Sequence, residues 1–263
     1  MDLGIKDKVA FVTASSKGLG KAVALQLSAE EAKVVICSRN DDDLIKAKAD
    51  IEYKTNTELK AVRLDVTKNE QVTQAVKDII EEFGTIDILV CNAGGPPAGM
   101  IEDFTIDDYR NALELNLIST ISLCYEVLPY MKKKHWGRII NITSVSVKQP
   151  IDNLILSNTS RTGVLGFSKS LSAQAAKYGI TVNAICPGYT RTQRVANLAK
   201  SFQKSGKGTI SDFYKKIEDN IPMGRLGTPE EFAKAVAFLA SEGAGYITGT
   251  ALQIDGGFVK GLF

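Results

Sequence analysis

The chain has 263 residues, is 44% hydrophobic and 24% charged, and carries a formal net charge of +2. Those values are globular, the length suits one sheet covered by helices, and the charge is too small to imply a nucleic-acid or anionic-membrane partner. A single histidine, His135, excludes a mechanism built on several imidazoles. Cysteines stand at 37, 91, 124 and 186 without a CxxC pair, so neither a disulfide framework nor a metal site is expected. Cys37 and Cys91 end apolar runs and read as buried thiols of a reducing compartment. The opening Met-Asp-Leu-Gly-Ile-Lys lacks the apolar core of a signal peptide, and no apolar stretch approaches the ~18 residues of a membrane span. A cytoplasmic protein with a small-molecule ligand is expected.

In chain order, short apolar runs alternate with helical periodicity. Strands are predicted at 8–13, 33–37, 59–64, 86–91, 138–143, 181–185 and 251–254. Helices are predicted at 18–30, 41–53, 68–83, 105–134 (with a possible break), 154–178, 193–220 and 228–241. Strands joined by helix-length segments imply right-handed crossovers and a parallel sheet. No linker or low-complexity tract interrupts residues 1–263. A single doubly wound, Rossmann-type α/β domain in three layers follows.

The first strand runs into Thr13-Ala14-Ser15-Ser16-Lys17-Gly18-Leu19-Gly20, and a helix begins at once. Glycines there let backbone approach a pyrophosphate, and the helix N-terminus offers free N–H groups and the positive end of its dipole. An acid at the end of the second strand would bind a ribose 2′-hydroxyl and select NAD. Ser38 and Arg39 stand there instead, with Lys17 in the glycine loop. Two cations at that point suit the 2′-phosphate of NADP, with NAD as the alternative if both are solvated. The run Lys132-Lys133-Lys134-His135 reads as a solvated helix end, and Trp136 and Tyr178 as packing residues.

Taken together, the motifs resemble the short-chain dehydrogenase/reductase family over nearly the whole chain, with members of the 3-oxoacyl-(acyl carrier protein) reductase type most similar. The glycine loop matches the family's, with Ala14 where a glycine is usual. Leu64-Asp65-Val66 is similar to its adenine-pocket segment, and Asn92-Ala93-Gly94 to its motif after the fourth strand. Asn116 stands where the family has its structural asparagine, and Ser144 where it has the catalytic serine. Pro187-Gly188, with Thr190 and Thr192, resembles the turn that holds the nicotinamide amide. Ile247-Thr248-Gly249 and Asp255-Gly256-Gly257 match the C-terminal signature. The resemblance implies a dinucleotide held by Thr13, Ser15–Gly20, Ser38, Arg39, Asp65, Val66, Asn92–Gly94, Arg161, Pro187, Gly188, Thr190 and Thr192. It also implies a homotetramer or homodimer, and a substrate lid at 193–221.

One part of the pattern is absent. The register of Gly166-Phe167-Ser168-Lys169 places Ser157 on the family's catalytic tyrosine and Arg161 on its lysine. No tyrosine lies between Tyr130 and Tyr178. Tyr130 and Lys134 have the right spacing, but they precede Ser144 and are taken as a chance match. A tyrosine hydroxyl has a free pKa of ~10 and a neighbouring cation lowers it; a serine hydroxyl is a far weaker acid on a shorter arm. Arginine stays charged and cannot relay protons. Loss of one positioned general acid costs ~10²–10⁴-fold, while hydride chemistry belongs to the cofactor. Two readings stay open. In one, Asn116 and Ser144 polarise the substrate oxygen, and Ser157 and Arg161 form a remodelled acid/base site in which the arginine fork orients an anionic substrate. In the other, the chain is a catalytically inactive dinucleotide-binding sensor or scaffold.

Overall fold

Strand β1 (Val9–Val12) is buried at every position, and so are β4 (Ile88–Cys91), β5 (Gly137–Ile142) and β6 (Ile180–Pro187). Strands covered on both faces read as near-continuous apolar runs, which is how β1 and β4 look in the sequence, while β5 and β6 bury Arg138, Asn141, Thr181 and Asn183 among their apolar residues. With β2 (Lys33–Ser38), β3 (Lys60–Arg63) and β7 (Ala251–Ile254) they form one parallel sheet in the order β3-β2-β1-β4-β5-β6-β7. The computed structural model describes residues 2–262; Met1, where the N-terminal reading begins, and Phe263, the end of the predicted domain, lie outside the described residues.

One face of the sheet is covered by α1 (Gly18–Ala29), α2 (Asp41–Thr55) and α9 (Pro229–Ala240), whose apolar residues join a core with Val12, Ile36, Val90 and Ile140. The other face is covered by α3 (Asn69–Phe83), α5 (Ser119–Lys134) and α6 (Ile155–Ala175), around Phe11, Val35, Leu89 and Ile139. A small third core lies under α7 (Gln193–Lys204) and α8 (Ile210–Asn220), built from Val195, Ile217, Ile221 and Leu226. The doubly wound domain is therefore as expected, and its strand order reverses direction between β1 and β4. In such sheets ligands bind beyond the carboxyl ends of the strands at that point.

Three details differ from the sequence reading. The helix expected over 193–220 is two, broken at Ser205 and resumed where Thr209 caps α8 by accepting from the Asp212 N–H. The 105–134 stretch starts as α4 (Ile106–Leu113) and continues into α5 without a break, but it widens to a π-type turn over Glu114–Ile118. Such turns re-aim side chains and recur near functional sites. The lysine run is not simply solvated: Lys134 reaches the buried Asp87 carboxylate, and Lys132 lies over the Tyr178 ring. Asp87 also accepts from the Val9 N–H at 3.0 Å. This ion pair marks the amino end of β4, so Tyr130 and Lys134 stand at the far end of the sheet from the crevice. Trp136 packs between Lys8 and Arg138, as a packing residue should.

Candidate active site

The crevice at the carboxyl ends of the strands holds a cavity of about 500 Å³. Its walls begin at the turn after β1. Ala14 sits at φ +45°, in the left-handed region that glycine takes without strain. A β-carbon added to Gly20 would lie 2.5 Å from the Ala14 carbonyl oxygen and 2.7 Å from Asn92 Nδ2. That glycine is needed for α1 to press against the loop. Lys17 gives α1 no side-chain cap, so first-turn N–H groups remain available to an anion. Gly20→Ala must push the loop aside, at about 1–3 kcal/mol. We expect a melting temperature lower by several degrees and NADPH binding at least tenfold weaker by fluorescence titration; wild-type affinity would show that the cradle tolerates the displacement.

Asn92 locks the two strand ends together. Its Nδ2 donates to the Ala14 carbonyl at 3.1 Å, its N–H donates to Thr13 Oγ1 at 2.8 Å, and Thr13 Oγ1 donates back to its carbonyl at 2.7 Å. Ser15 Oγ donates to the Val12 carbonyl at 2.7 Å and accepts from the Cys37 N–H at 3.0 Å. Thr13, Ser15 and Gly20 thus stand behind the wall and shape it, while Ser16, Lys17, Gly18 and Leu19 face the cavity. At the end of β2, Ser16 Oγ donates to Ser38 Oγ at 3.1 Å. The exposed Arg39 lies 4.0 Å from Asp65, and Lys17 pairs with Asp43 at 2.6 Å. Burial raises the Asp65 pKa, but bonds from Thr67 and the charge of Arg39 outweigh it and hold the carboxyl below its ordinary value. Val66, Asn92, Ala93 and Gly94 continue the wall.

The opposite wall is built by β5, β6 and α6. Ser144, at the end of β5, accepts from the Ser146 N–H at 3.0 Å, which leaves its own hydroxyl proton free for a ligand in the cavity. Ser157 and Arg161 lie one turn apart on α6, where side chains four residues apart share a face, and both line the cavity. Arg161 is only 8% exposed. Its Nη1 donates to the Ile142 and Thr143 carbonyls, both at 3.3 Å, and its Nη2 to Ala93 and Gly94 at 3.5 and 3.3 Å. It therefore ties the end of β5, just before Ser144, to the loop after β4. Burial above all, with the charge of Arg194 adding to it, brings the Arg161 pKa down to about 10, so the group is still cationic at neutral pH.

Pro187, Gly188, Thr190 and Thr192 line the cavity as expected. Asn116 does not. It is buried behind the wall, and its Nδ2 donates to the Ala112 carbonyl at 3.2 Å and to Ser160 Oγ at 3.3 Å. The π-type turn directs it between helices rather than at a substrate oxygen, so it stitches α6 to the preceding helix. The aromatics of the 193–221 segment are also not on the wall. Phe202, Phe213 and Tyr214 stack on one another at centroid distances of 5.6 Å, and α7 reaches the cavity through Gln193, Arg194, Val195 and Leu198. Arg191 is exposed and off the wall. Sequence reasoning passed over Leu115, Ile151, Leu154 and Tyr189, which also line the cavity. Tyr189 could have been found, since it sits inside the 187–192 motif. Burial, then the charge of Asp152, raises its pKa.

A family model described as enoyl-(acyl carrier protein) reductase matches residues 13–259. The chain belongs to the short-chain dehydrogenase/reductase family. Within it the chain is a 3-oxoacyl-(acyl carrier protein) reductase-like member. It is 37% identical over 253 residues to 3-oxoacyl-[acyl-carrier-protein] reductase of Haemophilus influenzae, covering 96% of this chain and 98% of that one. It is 33% identical over 250 residues to acetoacetyl-CoA reductase of Shinella zoogloeoides, covering 95% and 98%. Among solved structures, L-sorbose reductase from Gluconobacter frateurii, in complex with NADPH and L-sorbose, superposes with a TM-score of 0.94 at 33% identity, and each chain is covered completely. Among the described residues no helix is long and apolar enough to cross a membrane.

Proposed function

We propose that this short-chain dehydrogenase/reductase is an NADP(H)-dependent oxidoreductase acting on a carbonyl or alcohol, related to the 3-oxoacyl reductases, with a remodelled acid/base site at Ser157 and Arg161. The observation that carries the reading is that the phosphate-cradling turn and Ser144, Ser157 and Arg161 line one cavity. The residues fit NADP: the end of β2 carries Ser38 and Arg39 rather than an acid, and Lys17 stands beside them. The bound cofactor supplies hydride. The free proton of Ser144 Oγ would hold the substrate oxygen, Ser157 would pass a proton to it while taking one from water in the cavity, and Arg161 would fix Ser144 through the Ile142 and Thr143 carbonyls. Residues 193–221 would act as a lid over the substrate end, in a homotetramer or homodimer in the cytoplasm.

A second reading is favoured by Arg161 itself. Both of its terminal nitrogens are spent on backbone carbonyls, as in a purely structural clamp, and the chain would then be a catalytically inactive dinucleotide sensor or scaffold. Titration with NADPH and NADH, followed by turnover on a panel of carbonyl compounds including 3-oxoacyl thioesters, separates the two. Binding with oxidation of NADPH is the result expected; tight binding with no turnover on any substrate would favour the sensor.

Cofactor choice is tested by Arg39→Ala. A hydrogen bond to a charged group contributes about 1.5–3 kcal/mol, so NADPH should bind about 10–100-fold more weakly while NADH is unchanged. Equal losses for both cofactors would remove Arg39 from 2′-phosphate recognition.

A further inference from the structure

Charge is unevenly distributed around the cavity. Four cations line it, Lys17, Arg39, Arg161 and Arg194, against one carboxylate, Asp65. The two cations at the adenosine end are answered: Lys17 by Asp43 at 2.6 Å, and Arg39 by Asp65 at 4.0 Å. The two at the substrate end are not. Neither Arg161 nor Arg194 has a carboxylate within salt-bridge distance among the described residues; their partners are backbone carbonyls. Arg194 donates from Nη2 to the Pro96 carbonyl at 2.7 Å, which leaves Nε and Nη1 without a protein partner among the described residues. A desolvated charge is costly unless paired, and two guanidinium groups in one cavity add mutual repulsion.

We infer that the substrate of this site carries a carboxylate, taken up by Arg194 over the buried charge of Arg161. The inference rests on the oxidoreductase reading above and names its substrate class: a small oxo acid rather than a neutral ketone or ester. The second Nη2 hydrogen of Arg194, together with Nε–H or Nη1–H on the adjoining edge, fits a carboxylate in two parallel bonds. The walls around it, Ile151, Leu154, Val195 and Leu198, suit a short apolar body. The cofactor diphosphate is the competing anion, and the placement argues against it. The Thr192 methyl faces the glycine loop, 3.8 Å from a β-carbon built on Gly18. Arg194 instead lies across Gly95, on the loop after β4, where an added β-carbon would meet its Cζ at 2.9 Å. Arg194 thus leaves the phosphate cradle to the α1 terminus.

The test compares acetoacetate with methyl acetoacetate, and 2-oxobutanoate with its methyl ester, on the NADPH-loaded protein. Both kcat/KM for NADPH oxidation and equilibrium binding by calorimetry are read, with oxamate as an unreactive probe. The acids should be preferred over their esters by about 100-fold, as expected for a partly desolvated charge pair. Arg194→Gln should abolish that preference and leave NADPH affinity within about twofold. Arg194→Lys should keep part of it, and Arg191→Gln, an exposed cation off the wall, should change nothing. Equal binding of acid and ester by the wild-type protein overturns the inference while leaving the reductase reading in place, and that result needs no variant to fold. Weakened NADPH binding in Arg194→Gln with the acid preference intact also overturns it, assigning the arginine to the cofactor. No NADPH binding by the wild-type protein would remove both readings together.

Discussion

Arg161→Leu is expected to lower the melting temperature by roughly 5–12 °C and to abolish whatever reductase activity the protein has. Two opposing quantities decide the sign. A pKa held at about 10 against an ordinary 12.5 means that burial and the neighbouring charge of Arg194 together disfavour the cation by roughly 3 kcal/mol, at 1.36 kcal/mol per unit. Against that stand four bonds to the carbonyls of Ala93, Gly94, Ile142 and Thr143, each worth about 1.5–3 kcal/mol with a charged donor. The bonds win. Leucine removes them and leaves four carbonyls facing an apolar side chain, with water from the cavity satisfying some of them. A net loss of about 2–4 kcal/mol follows, and for a chain of this size each kcal/mol moves the midpoint by ~2–4 °C. Because Ser144 follows Thr143 directly, the same change loosens the strand end that aims its hydroxyl, so activity should fall even in assays well below the melting range. Thermal denaturation by circular dichroism checks the first part. An unchanged or higher midpoint would mean that the cation is a net cost to the fold, kept only for the ligand it faces.

The fold was legible because its information is local and periodic. The four central strands are buried at every position and largely apolar, with Arg138 and Asn141 in β5 and Thr181 and Asn183 in β6 as exceptions, and the helices between them repeat at the helical period, so parallel pairing follows from crossover rules. The turn after β6 and the glycine loop were legible for the same reason: each is a contiguous motif at a strand end. The roles within the site were less so. Asn116 looked like a substrate contact because the family motif places it near the crevice, but the π-type turn that rotates it toward Ser160 leaves no mark in residue spacing. Arg161 looked free to meet a substrate, because sequence does not show that four backbone carbonyls from two distant strand ends converge on one guanidinium. Lys134 looked solvated, because Asp87 is 47 residues away. The break in the 193–221 segment was better marked, since Ser205-Gly206-Lys207-Gly208-Thr209 holds both helix-breaking glycines and the next cap. What the sequence stated most sharply was an absence, the missing tyrosine, and the structure offers no other phenol on α6 to replace it.

Restoring that tyrosine should therefore change the rate more than any other substitution. In the double variant Ser157→Tyr and Arg161→Lys, a phenol would extend from α6 into the cavity that Ser157 already lines. The ammonium one turn below would lower its pKa toward the working range. One positioned general acid contributes ~10²–10⁴-fold, so kcat for carbonyl reduction should rise by about 100-fold if proton transfer limits the parent protein. The lysine cannot keep all of the arginine's bonds: three N–H donors face four carbonyls, and the midpoint should drop by a few degrees. That loss separates the two halves of the variant. Ser157→Tyr alone keeps the clamp and should gain only part of the rate, because a guanidinium cannot pass on the proton that the phenol must recover. If the double variant folds, binds NADPH with parental affinity and shows no gain on oxo acids or 3-oxoacyl thioesters, proton donation is not what the site lacks. The hydride step or the substrate pose would then be at fault, and the scaffold reading would gain ground.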